Sequence, residues 1–176
     1  MILQEADEEL LSSIQQAIQA RYQNLPDPWY GWVMPTYEAA PYKAVVDDLL
    51  SSGASVEDDT DLNNDVSCRF YVRHEGVFLV VELSLVGPFA VAVNMEMELS
   101  KPIRRDVLSP GLAVMVVQTL ERHGLILLDA SVLCIPIAMS FNNTDPGEGT
   151  LYQALISDTP TPFDCVESAP EHHAKF

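Results

Sequence analysis

The stretch VSCRFYVRHEGVFLVVELSLVGPFAVAVNMEM, residues 66–97, decides the fold. Val66, Cys68, Phe70 and Val72 alternate with Ser67, Arg69, Tyr71 and Arg73, a period of two. Glu75-Gly76 marks a tight turn, after which Val77, Leu79, Val81, Leu83 and Leu85 carry the apolar phase onward. Gly87-Pro88 turns again into Phe89, Val91, Val93, Met95 and Met97, interleaved with Ala90, Ala92, Asn94, Glu96 and Glu98. Successive side chains of a strand point to opposite faces, so these alternating runs predict a three-strand antiparallel meander with one covered face.

Outward from this stretch the period lengthens. Residues 4–23 read as an amphipathic helix, with Leu10, Leu11, Ile14, Ala17, Ile18 and Tyr22 on one face and acids in the first turn. Asn24–Pro41 has four prolines and the aromatics Trp29, Tyr30, Trp32 and Tyr37, which predicts an irregular but anchored segment. Pro41 suits the start of a second helix with Tyr42, Val45, Val46 and Leu49 inward, and Gly53 suits its end. The acidic run Glu57–Asp65 reads as a loop.

Ser109-Pro110 and Gly124 bracket a largely apolar helix, Leu112–Leu120 at its centre, expected to be the most buried. Leu125–Leu128 and Val132–Met139 read as two more strands, the latter at an edge because Pro136 lacks a donor N–H. Thr150 can cap a short helix Leu151–Ile156. The expectation is an α+β protein of order α-α-βββ-α-ββ-α: an antiparallel five-stranded sheet with helices packed on it. Residues 1–157 form the single domain and 158–176 a loose tail.

A chain of 176 residues supports one core, and 48% hydrophobic residues are ordinary for a globular protein. The longest apolar run, Leu112–Val117, falls far short of the roughly 20 residues of a membrane span. Glu5, Asp7, Glu8 and Glu9 are unlike the basic start of a signal peptide. Three cysteines at unrelated spacings, Cys68, Cys134 and Cys165, fit reduced thiols in a cytoplasm.

Charge says most about function. The chain has 26 acidic and 9 basic residues, net −17, and residues 1–65 alone hold 13 acids against 2 bases, net −11. Such a field repels nucleic acid and anionic lipid, and the basic patch that nucleic-acid binding needs is missing. A basic protein is the partner it favours.

Candidate chemistry reduces to simpler readings. Asp59-Thr-Asp61-Leu-Asn63-Asn64-Asp65 opens like a calcium loop, but Asn64 stands where the turn glycine belongs and Phe70 where the bidentate glutamate belongs. His74, His123 and His172-His173 form no metal-ligand spacing with the cysteines. A Cys/His nucleophile pair would have to be assembled in space. Cys68 and Cys134 otherwise read as core residues. Asp129, Glu82 and Glu96 suggest paired catalytic carboxylates, yet Glu82 and Glu96 sit in strand phases where Arg69 and Arg73 can pair with them. The expectation is a protein without catalysis, metal or cofactor.

Two features suggest partner binding instead. Trp29, Tyr30 and Trp32 are either an anchor, Trp and Tyr being frequent hot-spot residues, or a loop folded over the core. Asp47, Asp48, Asp58, Asp59, Asp61 and Asp65 are either a steering face or a solvated surface.

The run Val81-Glu-Leu-Ser-Leu-Val-Gly-Pro-Phe-Ala, followed by a helix, two strands and Thr150-Leu-Tyr-Gln-Ala-Leu-Ile-Ser-Asp158, resembles the small cytoplasmic immunity proteins encoded beside bacterial polymorphic toxins. The resemblance implies a non-enzymatic α+β protein, monomer or homodimer, that binds and blocks one cognate toxin, a basic one given this charge. The order from Tyr42 onward also resembles class I type III secretion chaperones, which are acidic dimers that bind extended effector segments; the extra N-terminal helix and aromatic segment depart from them.

Overall fold

The structure, a computed structural model, describes residues 2–94, 101–102, 111–163 and 165. Met95, Glu96, Met97, Glu98, Ser109, Pro110 and the histidine pair 172–173 lie outside the described residues.

Helix α1 (Ile2–Tyr22) buries Ile14, Ile18 and Tyr22, one residue per turn on a single stripe. The proline-rich segment after it is not wholly irregular. It forms α2 (Val33–Glu38), where Pro35 sits early enough to displace no helical N–H bond and Thr36 Oγ1 donates to the Trp32 carbonyl at 2.7 Å. Helix α3 (Lys43–Ser51) turns Val45 and Leu49 inward.

Strand β1 (Ser55–Asp58) takes the beginning of the expected acidic loop, since Ser55–Asp58 pairs antiparallel with residues 70–73 of β2 (Ser67–His74). The β2–β3 hairpin is as the sequence predicts. Glu75 and Gly76 both have positive φ, 49° and 82°, which matches the right-handed twist of the strands they join. Strand β3 (Val77–Ser84) pairs antiparallel with β4 (Phe89–Asn94). Across them Cys68, Phe70 and Val72 share a face with Leu79, Val81 and Leu83, and the register adds Ala90 and Ala92 to that face.

Phe89, Val91 and Val93 therefore point the other way, beside Val80 and Glu82. Four residues, 85–88, join the strands, and an even-numbered connection sets the odd-numbered residues of β3 opposite the even-numbered ones of β4. The sheet is consequently covered on both sides, not one: all of β4 up to Val93 is buried, and so is β3 from Leu79.

The sheet has six strands and is mixed rather than wholly antiparallel. Strand β5 (Lys101–Pro102) pairs antiparallel with the far end of β4, whereas β6 (Ile126–Leu127) runs parallel to its beginning. The parallel pairing arises because α4 (Leu112–Arg122) carries the chain back along the sheet before β6.

Helix α4 buries Leu112, Val116 and Leu120 and stops at Gly124, whose φ of 71° suits glycine. The more completely buried helix is α6 (Leu151–Leu155), in which every residue is buried. Thr150 caps it through a reciprocal box with Gln153.

The expected strand Val132–Met139 is not one. Asp129 caps a short helix α5 (Ala130–Leu133) by accepting from the Ser131 and Val132 amides, and only Pro136 makes a bridge, to Thr150. A local cap outweighs the strand preference of the valine and isoleucines here.

Two further expectations are corrected. Cys134 and Cys165 form a disulfide, so the three thiols are not all reduced, and Cys68 is the buried cysteine left over. Residues 158–163 and Cys165 are also held rather than loose. Asp158 is buried and accepts from the Asn142 and Asn143 amides at 2.7 and 2.8 Å, and the Phe163 ring meets that of Tyr152 edge-on. Among the described residues no helix is long and apolar enough to cross a membrane.

Candidate protein-binding face

Helix α2 lies between two hollows, and the acidic chain of residues 58–65 borders both. The first, about 180 Å³, is lined by Tyr30, Val33 and Met34 on one side and Leu62–Val66 on the other. The second, about 450 Å³, opens where α3 only partly covers the β1–β2 edge, with Tyr37, Val46, Val56, Cys68 and Phe70 among its walls. Tyr37 ties helix to strand by donating to Asp58 Oδ2 at 2.9 Å.

The aromatic segment divides its labour. Trp29 is 57% exposed and Met34, to which the sequence alone draws no attention, is 51% exposed. Trp32 is 7% exposed, with its ring edge-on to Tyr22 and the Arg21 guanidinium over its face. Trp32 is thus a core residue, not a partner anchor. Tyr30 is half-buried against Tyr22, and burial, then the Asp158 charge, pushes its hydroxyl up to about 12. Gly31 has a reason to be glycine, because a Cβ there would sit 2.6 Å from the Trp29 ring.

The acids divide likewise. Asp58, Asp59 and Asp61 are exposed, and Asp58 lines the second hollow together with Glu38 of α2. Asp58 and Asp61 also shape the loop, accepting from the Thr60 and Asn63 amides two residues ahead. Those bonds, the Asn63 amide foremost, hold the Asp61 carboxyl below its ordinary range. Asp47 is exposed and paired with Lys43.

Two predicted acids are already engaged within the chain. Asp48 joins α3 to α4, accepting from Arg122 at 2.8 Å and His123 at 2.9 Å. Asp65 is buried, accepts from the Asp61 amide at 2.9 Å and faces Arg69. Its burial could not be read from the sequence, which shows only one more acid in an acidic run.

Beneath this face lies an ionic cluster whose carboxylates are buried. Arg69 donates to Glu82 Oε1 at 2.9 Å, as the cross-strand register allows, and Tyr152 of α6 reaches the same carboxylate at 3.4 Å. Glu82 is 2% exposed, and burial raises its carboxyl above the ordinary value despite Arg69. Cys68 is similarly shut in: burial, then the charges of Asp58 and Asp65, pushes its thiol up to about 12, which suppresses the thiolate a nucleophile needs. His74 stands at the far end of the same strand and bonds the Gly53 carbonyl, so the two form no catalytic pair. Among the described residues no group of three or more His, Cys, Asp or Glu is placed to hold a metal ion.

Comparison with known proteins returns no match, neither to a family model nor to a curated protein nor to a solved structure.

Proposed function

We propose that this chain is a non-enzymatic immunity protein that binds a basic toxin protein through the face formed by α2 and residues 58–65. The observation that carries the reading is that α2 and residues 58–65 together border two hollows, exposed Met34 lining the first and the acids Glu38, Asp47 and Asp58 the second beside apolar Val46, Val56 and Phe70. An apolar centre rimmed by charge of one sign is the anatomy of a protein interface whose partner carries the opposite sign. Glu82 is too deeply buried to meet a substrate and the Cys68 thiol is held protonated, which supports inhibition by occupancy rather than by turnover. The chain acts without metal or cofactor and binds neither nucleic acid nor membrane.

The test is protection. Cells expressing the toxin encoded beside this gene should grow when the chain is co-expressed, and lose that protection with the double variant Trp29→Ala/Met34→Ala. No rescue of growth by the chain, or rescue by the double variant equal to wild type, would reject the reading.

A further inference from the structure

The second hollow has features that the acidic rim alone does not explain. We propose that the groove between α3 and the β1–β2 edge is the anchor site for an extended segment of the basic partner, one large apolar side chain flanked by Lys or Arg. This assignment rests on the basic-partner function proposed for the neighbouring face.

Three observations converge. The floor is apolar: Val46 of α3, Val56 of β1, and Cys68 and Phe70 of β2. Val56, Cys68 and Phe70 share one sheet face because Val56 pairs with Val72 and Asp58 with Phe70, so the groove is a continuation of the buried face left open at its margin. The walls are acidic, with Glu38, Asp47 and Asp58 present and Lys43 already engaged by Asp47. Finally, β1 ends the sheet and pairs only with β2 among the described residues, so its outer edge offers backbone groups to an added strand.

Charge selects the occupant. A second copy adding its own β1 would set Glu57, Asp58 and Asp59 against themselves, and like charges on paired strands destabilise. A segment with Lys or Arg alternating around an apolar residue meets both the rim and the floor.

The experiment is a titration of the ¹⁵N-labelled full chain, followed by amide shifts, with the peptides acetyl-KVKFKVK-amide, acetyl-EVEFEVE-amide and acetyl-KVPFPVK-amide. The first should bind and move amides of Val56–Asp58, Cys68–Phe70 and Tyr42–Asp47. The acidic peptide should not bind, and the proline peptide, unable to pair as a strand, should bind more weakly. Val46→Lys should weaken the basic peptide about tenfold or more, as for an interface anchor. Asp47→Lys, on the exposed rim, gives the same test if Val46→Lys does not fold.

Shifts confined to Trp29, Met34 and Leu62, or a Val46→Lys chain that binds as wild type, would overturn the groove while leaving the basic-partner reading intact. Equal binding of the acidic peptide would overturn the occupant and that reading together. A dimer in sedimentation that Val46→Lys abolishes would overturn the proposal in favour of a second copy.

Discussion

Arg69 on β2 and Glu82 on β3 are opposite each other in the register and 2.9 Å apart, on a sheet face that α6 closes. An ion pair that would contribute little at a surface here has both carboxylates, Glu82 and Asp65, buried, while Arg69 is only partly covered. Arg69→Met leaves two buried carboxylates without their cation and should cost about 3–5 kcal/mol at neutral pH. Burial already raises the Glu82 carboxyl, and without Arg69 the fold favours its protonated form further. A raised carboxyl stabilises on the acid side and loses that contribution as pH rises through its folded value. The variant should therefore regain stability as pH falls from 7 toward the ordinary glutamate range near 4. Urea unfolding at several pH values reads this; a deficit independent of pH would contradict it.

Asp48 behaves oppositely. The hydrogen bond from His123, with Arg122 beside it, holds its carboxyl below the ordinary aspartate value. A depressed carboxyl stabilises above its unfolded value, about 4, and loses that contribution as pH drops through the folded one. In thermal scans the melting-temperature gap between wild type and Asp48→Asn should be present at pH 6 and shrink below about pH 4. A gap constant with pH would show that Asp48 does not act as a charge.

The two tryptophans should separate cleanly. Trp32→Ala empties a core site against Tyr22 and should cost about 3–5 kcal/mol in folding. Trp29→Ala should leave stability within about 0.5 kcal/mol and instead raise the rate of partner dissociation. Equal stability losses at both sites would mean that Trp29, too, is structural.

The Cys134–Cys165 bond closes a loop with a sequence separation of 31, and removing it should cost on the order of 3–4 kcal/mol by loop entropy. Comparing unfolding with and without reductant measures that. Thiol counting in denaturant, on protein quenched directly from cells, also fixes the compartment. Only Cys68 titrating indicates an oxidising one, whereas three free thiols indicate the cytoplasm that the sequence suggested.

What the sequence disclosed was what is local. The period of residues 66–94, the Glu75-Gly76 hairpin, the stop at Gly124 and the cap at Thr150 each depend on a few adjacent residues. What it concealed depends on distant ones. The parallel contact of β6 with β4, the phase shift that sends Phe89 and Val91 to the second face, and the disulfide all join segments whose spacing carries no signal. The candidate site was legible in the same measure: the acids and Trp29 were visible by composition. Which acids were committed to Arg69, Arg122 or His123 depended on packing. Met34 looked like any methionine until α2 placed it, half-exposed, at the first hollow.

The most direct test of the central claim is the kinetics of association with the toxin encoded beside this gene, at low and high salt, for wild type and the variant Glu38→Gln/Asp58→Asn/Asp59→Asn. Charges on the rim steer encounter, and at physiological ionic strength the Debye length of about 8 Å already screens part of that effect. The account predicts association that slows steeply with salt and slows in the triple variant, with dissociation little changed. Association insensitive to salt, with the triple variant binding as wild type, would contradict it.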